Sequence, residues 1–311
     1  GFLDINNFKL KVNHMDIKLK KIKLSNGETL GYRERTGGKE ILILLHGNMT
    51  SSKHWDVFME NFDEKYKLIA PDMRGFGISS YNNKITSISD FVKDLELFVE
   101  KLNLDNFILM GWSTGGCITM EYSAKNPTKI KKLILLESIS SRGNPLYKLD
   151  ENGNVIPDQR IETMKEIRND KFKIQPILNA YENKNREFMK TVWNTLIYTD
   201  NKPEEEKYDE YIDDMFTQRN IVEVYHALNH FNISNVHNGL KKGNNLADKI
   251  NIPNFVLWGE NDKVVPKKMA EEIVNDIGEN AKLKVLKGCG HSPLIDDLKQ
   301  LNLIINNFLN N

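Results

Sequence analysis

The sequence predicts an α/β fold: a mostly parallel central sheet with helices on both faces, interrupted by a helical insertion. Three observations predict it. Short unbroken apolar runs, Ile41–Leu45, Phe107–Met110 and Leu133–Leu136, alternate with segments of helical periodicity, as expected of strands covered on both faces. That alternation stops after Leu136 and resumes at Phe255, and roughly a hundred intervening residues are too many for a loop. Strand–helix alternation on either side of the gap calls for parallel pairing through crossover helices.

The elements follow in order. Ile17–Leu24 alternates apolar and charged residues, as in a half-buried strand, and Asn26–Gly27 turns the chain into a second strand over Thr29–Arg35. After Ile41–Leu45 a short strand, Leu68–Ala70, ends at Pro71. Phe91, Leu95, Phe98 and Leu102 recur at helical spacing, predicting a helix over about 88–102. Phe107–Met110 leads into a helix from Gly115 to about Asn126, followed by the strand Leu133–Leu136. In the insertion, helices are expected near 159–169, 185–198, 204–218 and 220–230. Pro203 before Glu204, Glu205 and Glu206 suits a helix start. A strand at Phe255–Trp258, a helix over 266–277, a strand at Leu283–Leu286 and a closing helix over 293–309 complete the chain. Residues 15–138 and 248–311 thus read as the core and 139–247 as a helical cap. Residues 1–14 read as an N-terminal extension, with Met15 a natural start.

Composition narrows the function. Lysine plus arginine number 43, as do aspartate plus glutamate, so no overall field draws the chain to nucleic acid or an anionic membrane. No apolar run approaches the ~20 residues that span a bilayer, and residues 1–24 hold no continuous apolar stretch of the signal-peptide kind. Cys117 and Cys289 are the only cysteines, with neither metal-ligand spacing nor a disulfide framework. His226 and His230 stand four apart on one helical face but have no third ligand in view. A cytoplasmic protein acting on a small molecule, without metal or organic cofactor, is the expectation.

Three motifs carry chemistry. Gly111-Trp112-Ser113-Thr114-Gly115 fits G-x-S-x-G and lies between an apolar strand and a helical pattern. A serine there sits on a strained strand-to-helix turn, with glycines where a β-carbon would strike neighbouring backbone. The Thr114 N–H, at a helix N-terminus, then points at a developing oxyanion. His46-Gly47-Asn48-Met49 follows a buried strand and offers the second donor, the Asn48 N–H ahead of that of Met49; His46 reads as structural. Gly288-Cys289-Gly290-His291-Ser292-Pro293 places a histidine after the last strand, where its imidazole can take the serine proton and return it. Cys289 reads as a packing residue. For the acid that orients His291, Asp262 is favoured, with Glu137 and Glu260 as alternatives. The chain order serine, acid, histidine goes with this kind of elbow.

On these motifs the chain resembles the α/β-hydrolase superfamily, particularly compact bacterial members with a helical cap: esterases, lactonases, carbon–carbon bond hydrolases and cofactor-free haloperoxidases. Asp72-Met73-Arg74-Gly75-Phe76-Gly77-Ile78-Ser79 matches the D-x-R-G-x-G-x-S stretch of such proteins, where it shapes a loop beside the active site. Ser113 sets the chain apart from similar dehalogenases and epoxide hydrolases, whose nucleophile is an aspartate. Gly111-Trp112-Ser113 also resembles the elbow of some intracellular esterases and poly(3-hydroxybutyrate) depolymerases. The resemblance implies a serine hydrolase for a small ester or lactone. The same triad serves carbon–carbon, thioester and perhydrolytic chemistry or acyl transfer, and an intact triad argues against a non-catalytic receptor. Met49 and Trp112 are expected beside the substrate. In the cap, Trp193 and Tyr225 are pocket candidates together with Met164, Met189, Tyr198, Met215, Phe216 and Phe231, although helical spacing favours core packing for any one of these.

Overall fold

A computed structural model describes residues 16–311; the expected extension over 1–14 lies outside them. Ten strands occur in the described chain: β1 Ile17–Lys23, β2 Thr29–Arg35, β3 Glu40–Leu45, β4 Tyr66–Pro71, β5 Phe107–Trp112, β6 Ile130–Leu136, β7 Tyr147–Leu149, β8 Val155–Arg160, β9 Asn254–Gly259 and β10 Ala281–Leu286. Eight of them make one sheet in the order β1-β2-β4-β3-β5-β6-β9-β10. The β1–β2 and β2–β4 pairs are antiparallel and the remaining pairs parallel.

The apolar runs divide residue by residue between two layers, because successive side chains of a strand point to opposite faces. Ile43, Leu45, Leu109 and Leu135 join the core beneath the helices Ile88–Lys101 and Thr114–Lys125. Leu42, Leu44, Met110 and Leu136 join the opposite core, with Trp55, Phe58, Leu301 and Ile305. The helix Ile88–Lys101 begins with a capping box: Ser87 accepts from the Asp90 N–H while the Asp90 carboxylate accepts from the Ser87 N–H.

Between β6 and β9 the chain forms the helices Met164–Arg168, Ile174–Glu182, Arg186–Leu196, Glu205–Met215 and Ile221–His230. Met189, Trp193, Tyr198, Met215, Ile167 and Ile177 share a core of their own. The last of these helices is shared between layers: Val224, Ala227 and Leu228 belong to the first core, and Ile221, Val222 and Tyr225 to that of the inserted helices.

Three element expectations need correction. The helix expected over 159–169 is preceded by the antiparallel β7–β8 hairpin and is itself only Met164–Arg168. β8 has no buried residue, so no apolar run announced it; Asn152–Gly153 was its one local signal. The helix Ile174–Glu182 has no counterpart among the expected helices; Pro176 falls in its first turn, where the absent N–H costs nothing. The closing helix is two, Pro293–Asp296 and Leu298–Asn310, broken where Asp297 turns outward (φ −160°, ψ 74°) and accepts the Gln300 N–H as an N-cap.

Candidate active site

The C-terminal ends of the parallel strands gather the predicted motifs. Directly after β5, Ser113 stands at φ 55°, ψ −117°, a region that costs a non-glycine residue about 1–3 kcal/mol. Neighbours hold it there: its N–H donates to Leu136 O at 3.0 Å and its carbonyl accepts from Gly116 at 2.8 Å. The flanking glycines are sterically required. A β-carbon on Gly111 would meet Gly115 O at 2.3 Å, and one on Gly115 would meet Leu45 O at 2.3 Å.

Ser113, 8% exposed, opens with His291 onto one cavity of about 440 Å³ beneath the inserted helices. Among the described residues no hydrogen bond joins the serine hydroxyl to the imidazole, and such contacts often close only around substrate. The loop carrying His291 is pinned at several points. Trp112 Nε1 donates to His291 O at 2.9 Å, Gly290 N donates to Asp296 Oδ2 at 2.7 Å, and Asn261 N donates to Cys289 O at 3.0 Å.

His291 Nδ1 lies 2.8 Å from Asp262 Oδ2. A carboxylate requires a donor, so the ring proton sits on Nδ1 and Nε2 is left as a base. Asp262 Oδ1 accepts from Val264 N at 2.7 Å and Val265 N at 2.8 Å. Burial pushes the Asp262 carboxyl up, but the imidazole's charge and these hydrogen bonds outweigh it, and the pKa falls below its ordinary value.

Of the two alternative acids, Glu260 accepts only from Gly288 N at 3.0 Å. Glu137 is fully buried, at φ 44°, and takes the Gly259 N–H on both oxygens at 2.7 and 2.8 Å. Burial first, then the neighbouring Asp262 charge, raises its pKa well above the ordinary range. Of the two carboxyls Glu137 thus holds its proton the more tightly and Asp262, whose pKa is lowered, the less.

The turn after β3 is braced from two sides. Met49 N donates to Gln218 Oε1 at 2.9 Å, and Gln218 Nε2 donates to Asn48 Oδ1 at 2.7 Å. That bond occupies the Met49 N–H, and Asn48 and Thr114 line the cavity together with Ser113. His46 donates from Nδ1 to Gly47 O at 2.8 Å and accepts Met73 N on Nε2 at 3.0 Å. Its burial lowers its pKa, and its neutral ring ties β3 to the 72–79 loop. In that loop Arg74 forms a two-point ion pair with buried Asp94 at 2.9 and 2.8 Å.

Met49, Trp193 and Tyr225 line the cavity and also belong to the core of the inserted helices. Trp112 does not: it is 2% exposed and packs in the core behind β5, where its indole supports the His291 loop. Met189, Tyr198 and Met215 are likewise interior packing. His226 and His230 bind backbone carbonyls, those of Thr86 at 3.2 Å and Glu162 at 2.7 Å. Gln218, Asp296 and the pairing of Glu137 with Asp262 were not foreseen, because only folding brings their partners near.

Asp296 predicts a pH effect. Burial, helped by the Asp200 and Asp262 charges and opposed by the Gly290 and Asn201 N–H groups, pushes its carboxyl up to about 6 from 3.8. A raised acid pKa means the folded state holds the proton more tightly, so this contribution to stability is full below 3.8 and is lost as pH rises through about 6. Asp296→Asn keeps an acceptor for Gly290 and is expected to flatten the stability profile between those limits. Urea midpoints at several pH values check this; an unchanged slope refutes it.

A family model described as the alpha/beta hydrolase fold matches residues 40–298. The chain is 23% identical over 296 residues to 2-hydroxy-6-oxononadienedioate/2-hydroxy-6-oxononatrienedioate hydrolase 1 of Pseudomonas putida, covering 93% of this chain and 95% of that one. It is 25% identical over 315 residues to lipase 3 of a Moraxella species, covering 91% and 82%. An esterase structure from Exiguobacterium antarcticum superposes with a TM-score of 0.71 at 16% identity, covering 94% of this chain and 99% of that one. Among the described residues no helix is long and apolar enough to cross a membrane.

Proposed function

This chain belongs to the α/β-hydrolase fold family and is a hydrolase; from that premise we propose that it cleaves a small carboxylic ester or lactone through an acyl-enzyme on Ser113. The carrying observation is that Ser113, at positive φ, shares a cavity with a His291 whose Nδ1 is fixed by buried Asp262. His291 Nε2 takes the hydroxyl proton as Ser113 Oγ attacks the carbonyl carbon. The Asn48 and Thr114 N–H groups receive the oxyanion, each worth about 10²–10³ in turnover. His291 then protonates the leaving oxygen and activates the water that releases the acid.

A second reading keeps these residues and changes the bond. The Pseudomonas relative is named for hydrolysing an oxo-dienedioate, a ketone rather than an ester, and it resembles this chain along nearly its whole length. A vinylogous ketone would then be cleaved at carbon–carbon. Comparing kcat/KM on p-nitrophenyl esters from acetate to laurate, lactones, thioesters and a vinylogous diketone separates the two readings. Ester or lactone turnover that exceeds diketone turnover by about tenfold or more is expected, and the reverse order replaces the first reading with the second.

A further inference from the structure

The cavity's charge is one-sided. Its polar lining consists of Ser113, Thr114, His291, Asn48 and Asn144 together with two lysines, Lys173 and Lys263, and no aspartate or glutamate lines it. The nearest catalytic carboxylate, Asp262, is spent on His291 and two backbone N–H groups. Neither lysine makes an ion pair within 4.0 Å among the described residues. The rest of the lining is apolar, with Trp193, Phe188, Val192, Leu196 and Ile197 along the inserted helices.

Lys173 stands where the chain enters the helix Ile174–Glu182. Its Nζ lies 5.1 Å from the centroid of the Tyr225 ring, which lines the same cavity, so the ammonium is held against an aromatic face. The side chain remains accessible, while protein massed around it lowers its pKa, with Asp170 opposing. Asp170 is itself occupied in part, since its Oδ2 accepts the N–H groups of Lys173 and Ile174 at 3.2 Å each. An accessible ammonium at the lining of a largely apolar cavity, with no ion-pair partner within 4.0 Å among the described residues, is free to meet a ligand anion.

We infer that the substrate is an anion, carrying besides its scissile carbonyl an ionised carboxylate that Lys173 recognises, with Lys263 adding to the attraction. A carboxylate is the anion assigned to Lys173, the lysine held against the ring of Tyr225 in the cavity lining. The inference rests on the hydrolase reading for its scissile bond, but anion recognition is measurable without turnover.

The test pairs two substrates that differ in one charge: monomethyl glutarate, a carboxylate ester, and neutral dimethyl glutarate. The wild-type protein is expected to favour the monoester in kcat/KM. In Lys173→Met the monoester loses about 10- to 100-fold, mainly through KM, while the diester is little changed. Lys173→Arg is expected to restore most of the loss, and added salt to erode the preference. Equal losses on both substrates, or a wild-type preference for the diester, overturn the inference. In parallel, binding of both compounds to Ser113→Ala is followed by NMR titration with Lys173 intact and replaced by Met. If neither compound is hydrolysed but the monoester still binds in a Lys173-dependent way, the ester reading fails and anion recognition stands. Turnover of both compounds with no lysine-dependent binding has the opposite meaning.

Discussion

Ser113→Ala is expected to leave the fold intact and to lower kcat by about 10⁴- to 10⁶-fold, the range in which removing a triad nucleophile falls. The hydroxyl makes no hydrogen bond to His291 in the resting site, and Leu136 and Gly116 hold the turn through backbone atoms alone. Alanine at the same positive φ inherits the strain without adding to it, so thermal unfolding should shift little. The variant should also escape labelling by a fluorophosphonate and show no burst of p-nitrophenol. Ester hydrolysis retained at more than about a hundredth of the wild-type rate would remove Ser113 from the reaction and with it the acyl-enzyme.

Asp262→Asn carries the second large effect, about 10³- to 10⁴-fold in kcat. The reason is specific to this loop. Oδ1 accepts two N–H groups, from Val264 and Val265, so an asparagine must keep its carbonyl oxygen there. Its NH₂ then faces His291 Nδ1, which has to accept rather than donate. The ring proton moves to Nε2, and the base that Ser113 needs is gone. Glu137→Gln serves as the control. Glu137 makes no hydrogen bond to His291 among the described residues and its pKa is raised by burial, so the change is expected to cost less than about tenfold. A larger loss at Glu137 than at Asp262 would make Glu137 the acid that orients His291.

Much of this site was legible because each motif is a local requirement of backbone geometry. Gly111 and Gly115 are glycine because a β-carbon would enter the backbone at 2.3 Å, and this constraint is visible as G-x-S-x-G. His291 and Asp262 were placed by a simpler rule: each follows a parallel strand, and adjacent parallel strands deliver their following loops to one edge of the sheet. Trp112 went the other way. A residue beside the nucleophile in sequence alternates to the opposite face of β5, and its side chain packs beneath the site rather than in it. The hairpin Tyr147–Arg160 leaves no apolar run because neither of its strands has a buried residue, and periodicity reports burial rather than backbone conformation.

Charge was the least legible quantity. Glu137 and Asp262 are both acids at strand ends in sequence, yet the fold raises the pKa of one and lowers that of the other. Their proton is allotted by depth, by the Gly259 N–H and by which of them reaches His291. Lys173 and Lys263 are two among many lysines, and only the fold sets both at the lining of one cavity to which no aspartate or glutamate contributes.

The strand segments, the elbow and the candidate serine and histidine follow from short-range pattern, since steric exclusion and strand periodicity act within a few residues, whereas strand order and the choice among the candidate acids rest on tertiary contacts. Which N–H groups remain free, which carboxyl keeps its proton and what charge the cavity presents were decided only by packing. Each depends on groups such as Gln218, Gly259 and Tyr225 that lie far off in sequence, and electrostatic free energy is set by distance in space and by the exclusion of water.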